Sequence, residues 1–150
     1  MNPTNPYNIR VYALIVENGN VLITDEFRMN RLITKFPGGG LEFGEGLIEC
    51  IQRECIEELG QAVEIISHFY TTDFFITSAF NKKQQLISIY YLVKTIEPLK
   101  IKISNTLFDF EKIDGAQSFR WQPIQTLREN DFTFAIDKKV AMFLKSEFAL

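Results

Sequence analysis

The sequence predicts a single α/β domain over residues 1–150, with a mixed β-sheet, one helix in mid-chain and one at the end. Two observations predict it. Stretches rich in β-branched and aromatic residues, broken by turn signals, recur from Ile9 to Gln122. Among and after them, Leu47–Leu59 and Phe134–Phe148 place apolar residues at helical spacing. A chain of 150 residues is the usual size of one domain, long enough to bury a core without disulfides or structural metal.

The elements follow in order. Ile9–Val16 reads as a strand, Asn18-Gly19 as a hairpin turn and Val21–Phe27 as the returning strand. Leu32–Phe36 is a short strand ending at Pro37, before a glycine-rich loop from Gly38 to Gly46. Leu47–Leu59 is a helix stopped by Gly60. Val63–Ile76 is expected to form one long or bent strand, and 81–85 a polar turn. Leu86–Lys94 is apolar on both faces, the pattern of a buried central strand. Glu97–Gly115 reads as a loop, Ser118–Gln122 as a last strand, and Pro123 as the opening of a short helix toward Leu127. The C-terminal helix is expected to bury Ile136, Val140, Phe143, Leu144 and Phe148.

Composition narrows the function. With 46% hydrophobic residues the chain is an ordinary globular protein. Its 14 Phe against one Trp supply core, so aromatic richness does not by itself mark a base-stacking site. A net charge of −3 without a Lys/Arg run argues against a long nucleic-acid partner and leaves a single nucleotide possible. Cys50 and Cys55 are five apart, point to different sides of the helix and read as small hydrophobes. No Cys/His spacing suits zinc, and His68, the only histidine, reads as structural. The N-terminus from Met1 to Asn8 is polar and not a signal peptide, and no apolar stretch approaches the ~20 residues that span a bilayer. The expected setting is cytoplasmic.

The mid-chain helix carries the chemistry. Glu49, Arg53, Glu54, Glu57 and Glu58 crowd 13 positions. Glu57 and Glu58 load negative charge onto the helix end that already bears the negative pole of the macrodipole. Glu54 and Glu58 repel across one turn. At roughly 100° per residue, Leu47, Ile48, Ile51, Cys55 and Leu59 form the buried arc, with Glu54, Glu57 and Glu58 along its rim. Carboxylates there suit a hard cation such as Mg²⁺ or Mn²⁺. Arg53 and Glu57, four apart, can pair. Gly38, Gly39 and Gly40 allow close backbone approach, with amides for anions and carbonyls for a cation. An acidic helix or a glycine turn alone is most often structural; side by side they point to divalent-metal phosphate chemistry.

These residues resemble the Nudix signature: Gly, five residues, Glu, seven residues, Arg-Glu, an aliphatic, any residue, Glu-Glu, any residue, Gly, an aliphatic. Here it reads Gly39, Glu45, Arg53-Glu54, Cys55, Ile56, Glu57-Glu58, Leu59, Gly60, Gln61. Phe119–Ile124 with Leu127 is similar to the late W-x-P strand-to-helix element of that family. Gln61 and Cys55 depart from it, where larger aliphatic residues are usual. The resemblance implies a Nudix-like α/β/α sandwich and hydrolysis of a nucleoside diphosphate linked to a group X, by water attack at phosphorus. It implies Glu54, Glu57 and Glu58 as ligands of Mg²⁺ or Mn²⁺, joined by the Gly38 or Gly39 carbonyl. It implies Arg53 orienting Glu57, and Glu45 bracing the loop through its backbone or Arg53. The motif does not settle the general base: Glu57 or Glu54 is the first choice, with Glu111 the main loop candidate ahead of Asp114 and Asp109. Phe27, Arg28 and Arg31, and the aromatics Phe74, Phe75 and Tyr90, are candidates for substrate selection. The alternatives are a nucleotide- or ADP-ribose-sensing module with little turnover and a purely structural acidic helix. A homodimer is compatible with the sequence.

Overall fold

Asn18 and Gly19 both adopt positive φ, 50° and 77°, as a tight two-residue hairpin turn requires. They join β1 (Tyr7–Glu17) to β2 (Asn20–Arg28), with Val16 opposite Val21. The computed structural model describes residues 5–149; the first half of the polar N-terminal segment lies outside the described residues. Between them lie β3 (Arg31–Lys35), β4 (Gly38–Gly40), α1 (Leu47–Leu59), β5 (Val63–Thr71), β6 (Gln85–Thr95), β7 (Gln117–Pro123) and α2 (Ala135–Glu147). The architecture is α+β, a mixed sheet with two helices. No helix among the described residues is long and apolar enough to cross a membrane.

Two densely connected units divide the chain, one formed by residues up to Ala13 with Gly38–Pro98, the other by Leu14–Pro37 with residues from Leu99 onward. β1 contributes its first half to the former and its second half to the latter.

In the first unit, β4 pairs antiparallel with β1, placing Gly40 opposite Arg10, Gly39 opposite Val11 and Gly38 opposite Tyr12. The glycines expected to be loop are therefore strand. β5 runs antiparallel to β6 with two irregularities, between Ile65 and Ser67 and between His68 and Tyr70. It stops at Thr71 rather than Ile76. Thr72 exchanges bonds with Ser88, its N–H to the Ser88 carbonyl (3.0 Å) and the Ser88 N–H to its hydroxyl (2.9 Å), and beyond it only an isolated Thr77–Gln85 bridge remains. β6 is fully buried only at Ser88–Tyr90 and Val93, so the expected two-sided burial holds for its middle alone. α1 ends at Gly60, whose left-handed φ of 63° lets its N–H reach the Ile56 carbonyl at 2.9 Å. Its buried face is Cys50, Ile51, Cys55 and Leu59. Ile48, expected in that arc, is 46% exposed, while Cys50 is buried.

In the second unit, β2 is flanked by β3 and β7, both antiparallel, and Ile103 adds a parallel bridge to Phe119. α2 buries Ile136, Val140, Ala141 and Leu144. Phe143 and Phe148, expected in its core, are 40% and 36% exposed, and Ala141 and Asp137 sit inside instead. Phe36 stacks on Phe132 at 4.6 Å between ring centres. β2 also buries two adjacent acids. Arg120 grips Asp25 at 2.6 and 3.0 Å, and Asp25 further accepts the Thr34 hydroxyl (2.8 Å) and the Phe108 N–H (3.2 Å). Glu26 pairs with Lys35 (3.0 Å) and Arg28 (2.8 Å) and accepts the Thr24 hydroxyl (2.7 Å).

Candidate active site

Arg53 leaves the middle of α1 toward β4 and the segment behind it. Its Nε and Nη2 hold the two oxygens of Glu45 at 2.9 and 2.7 Å. Nη2 also donates to the Gly40 carbonyl at 3.0 Å. Nη1 donates to Glu54 Oε1 at 3.0 Å and to Glu57 Oε2 at 3.2 Å, with Glu42 at 3.6 Å. Glu45 Oε1 in turn accepts the Glu42 N–H at 2.9 Å, closing the turn between β4 and α1. One guanidinium thus spans four carboxylates and a backbone carbonyl, using the rigid donor fork that only arginine offers. Its hydrogen bonds pull Glu45 down to about 2, and Glu45 in return raises the guanidinium above its ordinary value.

β4 holds the other side of the cluster. The Gly38 N–H donates to Glu58 Oε2 at 3.1 Å. A Cβ on Gly39 would overlap the Glu54 carboxylate, so the missing side chain is what lets that acid lie against the strand. A Cβ on Gly38 would overlap the Val11 carbonyl oxygen, and its φ of 148° excludes other residues as well. On β1, opposite these glycines, Arg10 donates from Nε to the Tyr12 hydroxyl at 2.7 Å.

The predicted residues Glu45, Arg53, Glu54, Glu57, Glu58 and Gly38–Gly40 therefore come together in one unit. Glu54 is mostly covered and Glu57 is 57% exposed at its side chain. Among the described residues, no three His, Cys, Asp or Glu side chains converge as a ready-made metal cage, since Arg53 stands between Glu54 and Glu57. The donors themselves are all carboxylate oxygens, the set that a hard divalent ion takes. Burial lifts both cysteine thiols to about 12, aided at Cys50 by Glu45 and at Cys55 by Glu58 and Glu54. Burial thus disfavours the thiolate at both.

Glu111, Asp109 and Asp114 belong to the second unit, where Asp109 accepts the Ser104 hydroxyl (2.7 Å) and Asp114 the Met29 N–H (2.9 Å). Phe27, Arg28 and Arg31 lie in that unit too, with Arg28 paired to Glu26. Tyr90 is buried and packs on Tyr12 at 5.1 Å, a core residue and not a stacking platform. Phe75 is 72% exposed and lines a shallow depression with Tyr7, Lys82 and Lys83. His68 is exposed and bonds Thr71 at 2.8 Å. Arg10 and Tyr12 escaped the sequence reading because only the β1–β4 register brings them beside the glycines.

The sequence model described as the NUDIX domain matches residues 6–143. No curated protein matches the chain. The fold is similar to a NUDIX hydrolase from Nitrosomonas europaea, with TM-score 0.70 and 19% identity, covering 94% of this chain and 90% of that one. It is also similar to a MutT protein from Methanosarcina mazei Go1, with TM-score 0.66 and 21% identity over 98% and 99% of the two chains. A structure described as a UDP-X diphosphatase gives TM-score 0.58 at 18% identity, over 97% of this chain and 68% of that one. At such identities the likeness to each structure is one of fold.

Proposed function

The chain belongs to the Nudix family, and from that premise we propose that it hydrolyses nucleoside diphosphate-X compounds with Mg²⁺ or Mn²⁺ held by Glu54, Glu57 and Glu58. As a member it is a pyrophosphohydrolase acting on nucleotide-type substrates; the proposal adds the metal, its ligands and the substrate class. One observation carries it: four carboxylates face a single guanidinium against a strand bare of side chains. That arrangement leaves negative charge for a cation and open backbone for a diphosphate.

A divalent ion bound there neutralises the diphosphate and makes a neighbouring water more acidic. The chain's own residues do the rest. Arg53 holds Glu54 and Glu57 toward β4 through one nitrogen, and so orients both. Glu45, fixed as a carboxylate, ties Arg53 to the turn after β4, so the cluster is set before substrate arrives. Glu58 secures Gly38 and keeps the strand at its distance. Glu57, the most exposed of the three ligands, takes the proton of the attacking water. The water oxygen bonds phosphorus, the bridging P–O bond breaks, and a phosphate monoester leaves.

The test is coupled phosphate release on a panel of ADP-ribose, dinucleoside polyphosphates, nucleoside triphosphates and nucleotide sugars. UDP-linked compounds join it because of the UDP-X diphosphatase likeness. Turnover of a panel member should require Mg²⁺ or Mn²⁺, vanish in EDTA, and fall at least about a hundredfold in Glu57→Gln. Unchanged turnover in that variant would refute the ligand assignment. Tight nucleotide binding without product over hours would favour the sensing module.

A further inference from the structure

We propose that Cys50 is a positioning residue for the hydrolysis, its sulfur setting the plane of the Arg53 guanidinium and, through it, the placement of Glu54 and Glu57; this rests on the hydrolase reading above. Cys50 is fully buried in the first turns of α1. Its sulfur meets two groups of the cluster at once. Sγ donates to the Gly40 carbonyl at 3.5 Å, and Arg53 Nη2 reaches Sγ at 3.8 Å. Nη2 donates to that same carbonyl at 3.0 Å. Sulfur, carbonyl and nitrogen thus close a triangle between α1 and β4, and two donors fill the two lone pairs of the Gly40 oxygen. Burial and the neighbouring Glu45 carboxylate push the thiol up to about 12, which favours the protonated form that donates.

The leverage comes from the shape of arginine. A guanidinium is flat and rigid, with its donors fixed in one plane. Nε and one Nη2 hydrogen serve Glu45, the other Nη2 hydrogen serves Gly40, and Nη1 serves Glu54 and Glu57. Whatever fixes the Nη2 edge therefore fixes Nη1 and the two acids on it. Glu45 holds that edge from the turn after β4, and Cys50 holds it from inside the helix. Cys50 touches neither Glu54 nor Glu57, so its effect on them passes through Arg53. Without the sulfur, space opens beside Nη2 and the Gly40 carbonyl keeps one donor in place of two. The guanidinium is then free to tip, and Nη1 carries Glu54 and Glu57 with it.

Nitrogen-15 NMR of the Arg53 Nε–H, on protein without metal or nucleotide, reads this without turnover. In Cys50→Ala its exchange with water should quicken about tenfold or more, and in Cys50→Ser, which keeps a donor, it should stay within about threefold of wild type. With a substrate that the wild type hydrolyses, Cys50→Ala should lower kcat about tenfold while KM stays within about threefold, and Cys50→Ser should recover most of kcat. A side chain that only fills space would lower the melting temperature and leave Arg53 exchange where it was. Unchanged Arg53 exchange in Cys50→Ala overturns the proposal, as does a loss of kcat that Ser does not recover. Exchange that responds to Ala and is kept by Ser, in a protein that turns over no panel compound, sinks the hydrolase reading alone. Turnover with Arg53 exchange indifferent to Cys50→Ala sinks the proposal alone.

Discussion

Each unit of the molecule gathers acids around basic side chains, in opposite proportions. In the first, Glu42, Glu45, Glu54 and Glu57 share Arg53. In the second, Asp25 and Glu26 are met by Arg120, Lys35 and Arg28. The second cluster is buried, and both acids are matched by charge, Glu26 Oε1 by its ion pair to Arg28 and without a hydrogen bond. The first is partly open and short of positive charge, a condition tolerable only near solvent or a cation. Excess negative charge is left near solvent, and balanced charge is what the interior holds.

The largest effect that tests this contrast is removal of Arg120. Arg120→Ala leaves Asp25 buried without its guanidinium and should cost about 3–5 kcal/mol, lowering the melting temperature by about 10 °C. Glu57→Gln, which trims the exposed cluster, should leave melting within about 2 °C of wild type. Equal destabilisation by the two would erase the distinction.

The glycines sharpen it at finer scale. Gly38→Ala sets a Cβ into the backbone of β1 at positive φ and should destabilise the fold by about 1–3 kcal/mol. Gly39→Ala meets only the end of the Glu54 side chain, so the acid swings away; turnover should fall about tenfold or more with melting little changed. Gly40→Ala makes an ordinary contact at 3.7 Å and should melt as the wild type does. Melting curves and turnover on the three variants check this order.

The smallest effect is on acid stability. Glu45 is lowered from 4.5 to about 2, first by its hydrogen bond to Arg53. Glu26 is also lowered from 4.5: burial alone would raise it, but Lys35, Thr24 and Arg28 together outweigh burial. For both, the folded-state value lies below the unfolded one. Their stabilisation is therefore fully present above pH 4.5 and lost as pH falls, through about 2 for Glu45. Urea midpoints should be flat with respect to these groups from neutrality to pH 4.5 and decline below it, and Glu45→Gln should remove part of the decline.

The two clusters were not equally legible. The Arg53 cluster is local, from Gly38 to Glu58, and its residues recur at spacings that a helix and a preceding turn convert directly into proximity. Asp25, Thr34 and Arg120 lie far apart in the chain, and nothing in an Asp-Glu pair within a strand announces that both acids are buried. The hairpin at Asn18-Gly19 and the end of α1 at Gly60 are readable because glycine in a left-handed conformation leaves a local signature. The end of β5 was not, because a single exchange between Thr72 and Ser88 sets it. The inward faces of both helices were read one or two residues off, at Ile48 and at Phe143 and Phe148. Large apolar residues look like core to periodicity, whereas Cys50 and Ala141 fit where the space is small.

β4 has a further consequence. A strand of three glycines has no side chains of its own to fix its alignment with β1. The grip of α1 at its two ends, Glu58 on Gly38 and Arg53 on Gly40, helps to set the observed alignment. The same acid and base that are proposed for the chemistry therefore also hold the strand in place. In descent, such residues cannot drift once activity is no longer selected without loosening the local fold, so a Nudix chain that lost its reaction would have reason to keep its signature.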